Sequence, residues 1–373
     1  MTHASDPAST VTFEYVFPAI RGIQARREYY VSMCPLRLVP KVFLFNEEEL
    51  VPELRAQRLL NRARLPEMTQ YLLANRDNYV FSALTASIDG QVRFQPISGN
   101  GTASRIGQLH VPMDSRFVIN DGQHRRAAIE NALREDPDLA DESIAIVFFI
   151  DRGLERSQQM FADLNRHAVR PSTSLGVLYD HRDDRATLVR LLLPRCPFLR
   201  DVVEMERTTL AVRSRKLFTL SSIYTATNAL MTGYDDIPAE QRADLAARYW
   251  NEVALQFPDW EKVRQREIPA AEIRKEFIHS HGIVLQALGR TGNVLLTKED
   301  SSFTERLQKL RTIDWARSNA KLWEGRALVA GRVSKAANNI ILTTNTVKHA
   351  LGLPLTPDEK RLETAFTRGH RAN

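Results

Sequence analysis

The sequence predicts an α/β (α+β) protein, with a mixed-sheet domain over residues 13–180 and a mostly α-helical domain over 181–373, the boundary being soft between 180 and 220. Three observations predict it. Val11 to Phe45 alternates apolar and polar residues and is rich in Val, Phe and Tyr, the pattern of strands. Ile144 to Ile150, IAIVFFI, is an uninterrupted apolar run of strand length set between helical patterns, which gives the order strand, helix, strand, helix. Beyond Tyr179 the strand signals fade, and the apolar residues recur at helical spacing.

Each element follows in order. Met1 to Thr12 is small and polar, a frayed start. Pro18, Gly22, Pro35 and Pro40 interrupt the first segment, so two or three strands and a turn are expected there. From Glu47 the pattern is helical through Leu50, Leu54, Leu59 and Leu60, then through Met68, Tyr71 and Leu72 after Pro66. Ile97 to Gly107 has the Gly, Ser and Asn content of a loop. Phe117 to Ile119 reads as a short strand and Gln123 to Leu133 as a helix burying Ala127, Ala128, Ile129, Ala132 and Leu133. Ile144 to Ile150 should be buried on both faces, and after a turn at Asp151 to Gly153 a helix carries Leu154, Met160, Phe161 and Leu164. Helical spacing then recurs in ATLVRLLL, LFTLSSIYTATNALM, EQRADLAARYWNEVALQF, EFIHSHGIVLQALGRTG and SFTERLQKLRTI. Near the end, a threonine cap opens a short helix stopped by Gly352, and Thr356, Pro357 and Glu359 open another. The pair fits either a helix-turn-helix piece or ordinary terminal helices.

With 43% hydrophobic and 26% charged residues the chain belongs with globular rather than disordered sequences. No apolar run reaches the roughly 18 residues of a membrane helix, and the start lacks a leader pattern, so a cytoplasmic protein is expected. Two cysteines, Cys34 and Cys196, make no disulfide framework; Cys34 is a candidate regulatory thiol, and a buried core cysteine is the plainer reading. His279 and His281 lie two apart and face different sides of a helix, and no other grouping has metal-ligand spacing, so no metal site is expected.

Charge is more informative. The net +6 favours an anionic partner. After Glu206 no acid appears until Asp235, and Arg207, Arg213, Arg215 and Lys216 fall in that gap. A second acid-free stretch, Gly325 to Pro357, holds Arg326, Arg332, Lys335 and Lys348. These eight residues are the expected contacts to double-stranded DNA, with solvated surface as the alternative.

FVINDGQHRRAAIENAL, Phe117 to Leu133, concentrates polar chemistry where a strand meets a helix. Asp121 can cap the helix, Gly122 lets a ligand approach the backbone, and Gln123 and His124 supply donors. Arg125 and Arg126 oppose the helix dipole on its first turn, a penalty that a phosphate ligand would offset.

The residues Asp121 to Arg125 spell DGQHR, the signature of the DGQHR-domain proteins, and the chain resembles the DndB family of DNA phosphorothioation, or DNA sulfur modification, over most of its length. RGIQA at Arg21 to Ala25 and FADLNRHAVRPSTSL at Phe161 to Leu175 are further marks. The resemblance implies a DNA-binding regulator, typically a repressor, of the phosphorothioation gene cluster. The corner also resembles the ParB and sulfiredoxin superfamily, in which such a turn grips nucleotide phosphates. The order of elements around Gln95 and Pro96, Gly122 and Asn165 is similar. That likeness implies phosphate or nucleotide binding by Asp121, Gly122, Gln123, His124, Arg125, Arg126, Asn165 and Arg170, with ATP or CTP and Mg as the ligand. Two departures limit it: Gln123 stands where sulfiredoxins carry a catalytic cysteine, and Leu164 where CTP-hydrolysing ParB proteins carry glutamate.

The expected function is therefore a DNA-binding regulator, whose affinity for a promoter is modulated by a nucleotide at the DGQHR turn. Proteins of the sulfur modification machinery are further candidate partners, and a homodimer is expected because symmetric operators favour symmetric proteins. The competing reading is a nucleotide hydrolase with DNA-nicking activity, in which Asp121, Gln123 and His124 organise an activated water.

Overall fold

The computed structural model describes residues 13–43, 65–154, 156–166, 172–297 and 303–371. The frayed start and the helix expected through Leu50 and Leu60 lie outside the described residues. The chain divides into two compact units, Met1–Val169 and Arg170–Asn373.

The first unit is built on a seven-stranded sheet. In chain order the strands are β1 (Glu14–Gln24), β2 (Arg27–Pro35), β3 (Leu84–Asp89), β4 (Arg93–Pro96), β5 (Ile106–Pro112), β6 (Arg116–Asp121) and β7 (Ser143–Ile150). Their order across the sheet is β4-β5-β1-β2-β7-β3-β6, antiparallel except for β7 beside β3. The first hairpin turns at Ala25 and Arg26, both at positive φ, rather than at Gly22. A two-residue loop of that hand matches strand twist. Gly22 stays within β1 because a Cβ there would meet the Tyr29 ring at 2.5 Å.

Alternation then sorts the side chains. Phe17, Leu84, Ile88, Leu109, Ile119, Ile146 and Phe148 all point to one face and form its core. Helix α1 (Val39–Val42), helix α2 (Leu65–Ala74) and helix α3 (Gln123–Glu135) lie in this unit, and α3 closes the core with Ile129 and Ala132. β7 is buried on that face alone: Ala145, Val147 and Phe149 are only half-buried, against the expectation of burial on both sides. A run of apolar residues erases the period that would have shown which face meets solvent. Helix α4 (Ser157–Arg166) covers the opposite face at the β6 edge. There Ser157 Oγ donates to Asn120 Oδ1 at 2.8 Å and Asn120 Nδ2 to Ser87 Oγ at 2.8 Å.

The second unit is helical. Helix α5 (Thr173–Tyr179) already belongs to it, because Val177 is buried in its core, so the division falls before residue 180. Helices α6 (Asp184–Arg195), α7 (Leu220–Leu230), α8 (Ala239–Ala254), α9 (Pro258–Arg264), α10 (Ala270–Glu276) and α11 (Gly282–Thr297) follow. α11 is the axis, with Ile283, Val284, Ala287 and Leu288 buried. It approaches α7 so closely that a Cβ on Gly289 would strike the carbonyl oxygen of Ala226. After helix α12 (Phe303–Gln308) and helix α13 (Ala320–Trp323), the hairpin of β10 (Leu328–Val329) and β11 (Arg332–Val333) leads to α14 (Ala337–Ala350) and α15 (Pro357–Arg371). α14 begins before the threonines expected to cap it. Thr343 and Thr344 lie inside it and donate to the carbonyls of Asn339 and Ile340, at 2.7 and 2.8 Å. The second cap is as expected: Glu359 N donates to Thr356 Oγ1 and Thr356 N to Glu359 Oε2, a reciprocal capping box. Short strands β8 (Val203–Glu204) and β9 (Phe218–Thr219) pair in parallel and pin the ends of the segment between them.

Candidate nucleic-acid interface and the DGQHR corner

The DGQHR corner joins β6 to α3. Gly122 is the residue before the helix, at φ 105°, and a Cβ there would collide with Leu84 Cδ2, so the turn admits only glycine without strain. Asp121 does not cap α3, contrary to the expectation. Its Oδ2 instead accepts from Arg125 Nη2 at 2.7 Å, one helical turn on. The same Nη2 donates to the carbonyl of Ala83 at 3.1 Å, while Arg125 Nε is buried and has no hydrogen-bond partner. Gln123 Nε2 donates back to the Ile119 carbonyl at 3.1 Å. Arg126 is buried: Nε donates to Phe43 O at 3.0 Å, Nη2 to Pro40 O at 3.3 Å, and Nη1 pairs with Glu130.

These bonds make the corner a latch. Arg125 holds the entry to β3, and Arg126 holds the chain at Pro40 and Phe43. Burying a guanidinium costs several kcal/mol unless its donors are satisfied; for Arg126 the carbonyls and Glu130 do so. Arg126 is therefore removed from the set expected to grip phosphate, and Asp121 and Gln123 are engaged in bonds of the chain's own. His124 is half-buried on the first turn. Asn165 is carried on the last turn of α4, and Arg170 lies outside the described residues. Among the described residues no group of three His, Cys, Asp or Glu could hold a metal ion. His279 and His281 lie in the turn before α11 rather than on a helix: His279 Nδ1 accepts from Trp260 Nε1 at 3.0 Å. Burial pulls its pKa down to about 3.

Cys34 fails as a regulatory thiol for a physical reason. It is fully buried in the sheet core, and desolvation pushes its thiol up to about 11, so thiolate is scarce at neutral pH.

The first basic stretch forms a loop between β8 and β9. The Arg207, Arg213 and Arg215 side chains are exposed and pair with no carboxylate among the described residues. Lys216 Nζ donates to Asp201 O at 3.0 Å. The loop is held in shape by a residue from α10. Arg274 Nη2 donates to the carbonyls of Ala211, Val212 and Ser214 at 3.2, 3.1 and 2.9 Å, and Nη1 to Ala211 O at 3.2 Å. Beside it lies an open cavity of about 630 Å³ lined by Arg213, Arg215, Lys216, Arg264 and Arg266. Asp201 and Glu267 are its acids.

The second basic stretch behaves differently, because α15 folds back its acids. Arg326 Nη1 donates to Glu363 Oε2 at 3.0 Å, and Lys348 Nζ to Glu359 Oε1 at 2.7 Å, both in pairs largely shielded from water. Burial raises the Glu363 pKa, but hydrogen bonds from Arg326 and Asn345 outweigh it and hold the carboxyl low. Arg326 and Lys348 are thus corrected from DNA contacts to clamps on α15. Arg332 and Lys335 remain exposed. The Lys335 ammonium rests against Gly282 and Ser222 Oγ, where desolvation lowers its pKa.

Residues 17–354 match the family model described as DndB, DNA-sulfur modification-associated. The chain belongs to the DndB family. The DNA-sulfur modification association of that family is therefore its association too. No curated protein and no solved structure matches the chain. No described helix is long and apolar enough to cross a membrane.

Sequence reading missed three residues of this DndB-family chain that bear on the basic loop. Arg264 and Arg266 end α9 far along the chain from the acid-free stretch, although Arg264 is bound to Glu261 at 2.8 Å. Arg274 lies among the acids Glu272 and Glu276, so no local excess of charge marked it. Its carbonyl accepts from His281 Nε2 at 2.9 Å, which fixes that ring as the Nε2–H tautomer. Burial lowers the His281 pKa, and the charges of Arg317, Arg274 and Lys335 lower it further against that carbonyl bond.

Proposed function

We propose that the chain is a DNA-contacting regulator of a DNA sulfur modification gene cluster, acting as a repressor, with the loop from Arg207 to Lys216 as its phosphate-contacting surface. The observation that carries the reading is the Arg274 clamp. Its guanidinium spends its donors on three loop carbonyls. A loop so fixed presents Arg213 and Arg215 without the ordering cost a free loop would incur on binding. Exposed arginines without carboxylate partners suit phosphate, since the guanidinium fork can bind two oxygens. Arg207, Arg332 and Lys335 extend the basic surface of the same unit, and family membership supplies the biological setting. In this reading the DGQHR corner organises the sheet unit, and a nucleotide there tunes DNA affinity.

The test is binding of the full chain to the promoter of its own gene cluster across a salt series, with and without ATP or CTP and Mg. Salt-sensitive, promoter-selective binding supports the reading. Binding no tighter to the promoter than to unrelated DNA of equal length refutes it.

A further inference from the structure

The outer face of the sheet in the first unit is apolar and half bare. Register places Ile106, Ile20, Val31 and Val147 side by side across β5, β1, β2 and β7. One step along lie Pro18, Met33 and Ala145. One step the other way Tyr29 stacks on Phe149 with ring centroids 5.7 Å apart. None of these rows carries a charge; the charged residues on this face, Glu14 with Arg93 and Arg27, stand at its borders. Val16, Ile20, Met33 and Ile106 are 49%, 55%, 50% and 46% exposed. On β3 and β6 the same face is polar, with Ser87 and Asn120, and α4 covers it there. The sequence therefore distinguishes the covered part from the bare part.

We infer that a second copy of this chain covers the bare part, face to face across a two-fold axis. With ordinary side-chain areas the exposed fractions give about 500 Å² of apolar surface per copy, at the upper end of what monomers expose. Two copies together bury about 1,000 Å², the area at which an interface becomes specific. A flat face without charges matches itself, because a two-fold sets the same apolar rows opposite one another and sheets pack face to face about 10 Å apart. Edge-to-edge pairing is disfavoured on the β4 side, where the edge strand is short and ends in Pro96. A dimer so formed also carries the basic loop twice, the symmetry a palindromic site requires.

Sedimentation velocity of the full chain without DNA, at micromolar concentration, tests the inference. The expected result is a dimer for the unaltered chain. Ile20→Glu and, separately, Met33→Lys should weaken dimerisation more than about tenfold, because each places a charge in the centre of the face. Circular dichroism and thermal melting of both variants should match the parent; if one fails to fold, the other, on a neighbouring strand, carries the test. A parent chain that stays monomeric at every concentration overturns the inference. So does a dimer that survives the substitutions, which would place the interface elsewhere. The readout contains no DNA, so failure here leaves the DNA-contacting proposal standing, and the reverse also holds.

Discussion

Replacing Arg213, Arg215 and Lys216 together by glutamine should flatten the salt dependence of DNA binding. Each cation that neutralises a phosphate adds about 0.9 to the slope of log affinity against log salt. Arg213 and Arg215 are exposed and without carboxylate partners, and count in full; Lys216 already holds the Asp201 carbonyl at 3.0 Å and counts in part. The slope should therefore fall by about 1.8 to 2.7. Over a fourfold rise in salt, the upper figure means that these side chains account for roughly fortyfold in affinity. Fluorescence anisotropy with a labelled promoter fragment, at several salt concentrations, reads the slope directly. Thermal melting should be unchanged, since no fold contact of the two arginines is lost. An unchanged slope would refute the placement of the interface, as would an equal drop in an Arg326→Gln variant whose cation is committed to Glu363.

Three further outcomes follow from the same geometry. Lys348→Ala leaves Glu359 shielded and uncompensated and should lower the unfolding free energy by about 3 kcal/mol in urea titration, with the salt slope unaffected. His279 is neutral when folded, with its pKa near 3 against 6.5 unperturbed, so the unfolded chain binds the extra proton and stability present above pH 6.5 is lost as pH falls towards 3. Between pH 6.5 and 5 that loss is about 2 kcal/mol, and a His279→Gln variant should lack this part of the acid sensitivity while being less stable at neutral pH. Cys34 and Cys196 are buried, with thiols pushed up to about 11 and about 12; neither should react with a thiol reagent at pH 8 until denaturant unfolds the chain. Prompt labelling of Cys34 in the native protein would restore it as a regulatory candidate.

The elements with strong local signatures were legible. The two strands of the first hairpin, the helix after Gly122, the run from Ile144 and the capping box at Thr356 and Glu359 each rest on periodicity or on a cap within a few residues. β3 and β5 were not read, because neighbours from distant parts of the chain hold them: β3 lies between β6 and β7, and β5 between β1 and β4. Long-range pairing leaves a weak local trace. The hairpin was misplaced at Gly22 because glycine usually marks a turn, whereas here it makes room for the Tyr29 ring. Burial on one face of β7 was likewise hidden, since apolar residues on its outer side imitate a strand enclosed on both sides.

The candidate site shows the same contrast more sharply. Both acid-free stretches present the same signal in one dimension, yet only one remains unpaired in three. The loop from Arg207 to Lys216 is fixed by a cation, Arg274, whose donors go to carbonyl oxygens, so the clamp adds no negative charge. The stretch from Gly325 to Pro357 is followed by α15, whose Glu359 and Glu363 return to Lys348 and Arg326. Local charge counting cannot separate the cases, because the neutralising acids lie 11 and 37 residues away. The DGQHR corner errs in the opposite direction. Its density of polar groups reads as a ligand site, but a strand-to-helix turn that fastens two other segments needs donors for backbone carbonyls, and Arg125 and Arg126 supply them. A phosphate at that corner would have to compete with Asp121 for Arg125 and would find Arg126 already enclosed. Phosphate contact is therefore expected first at the clamped loop, where the cations meet solvent before they meet a carboxylate.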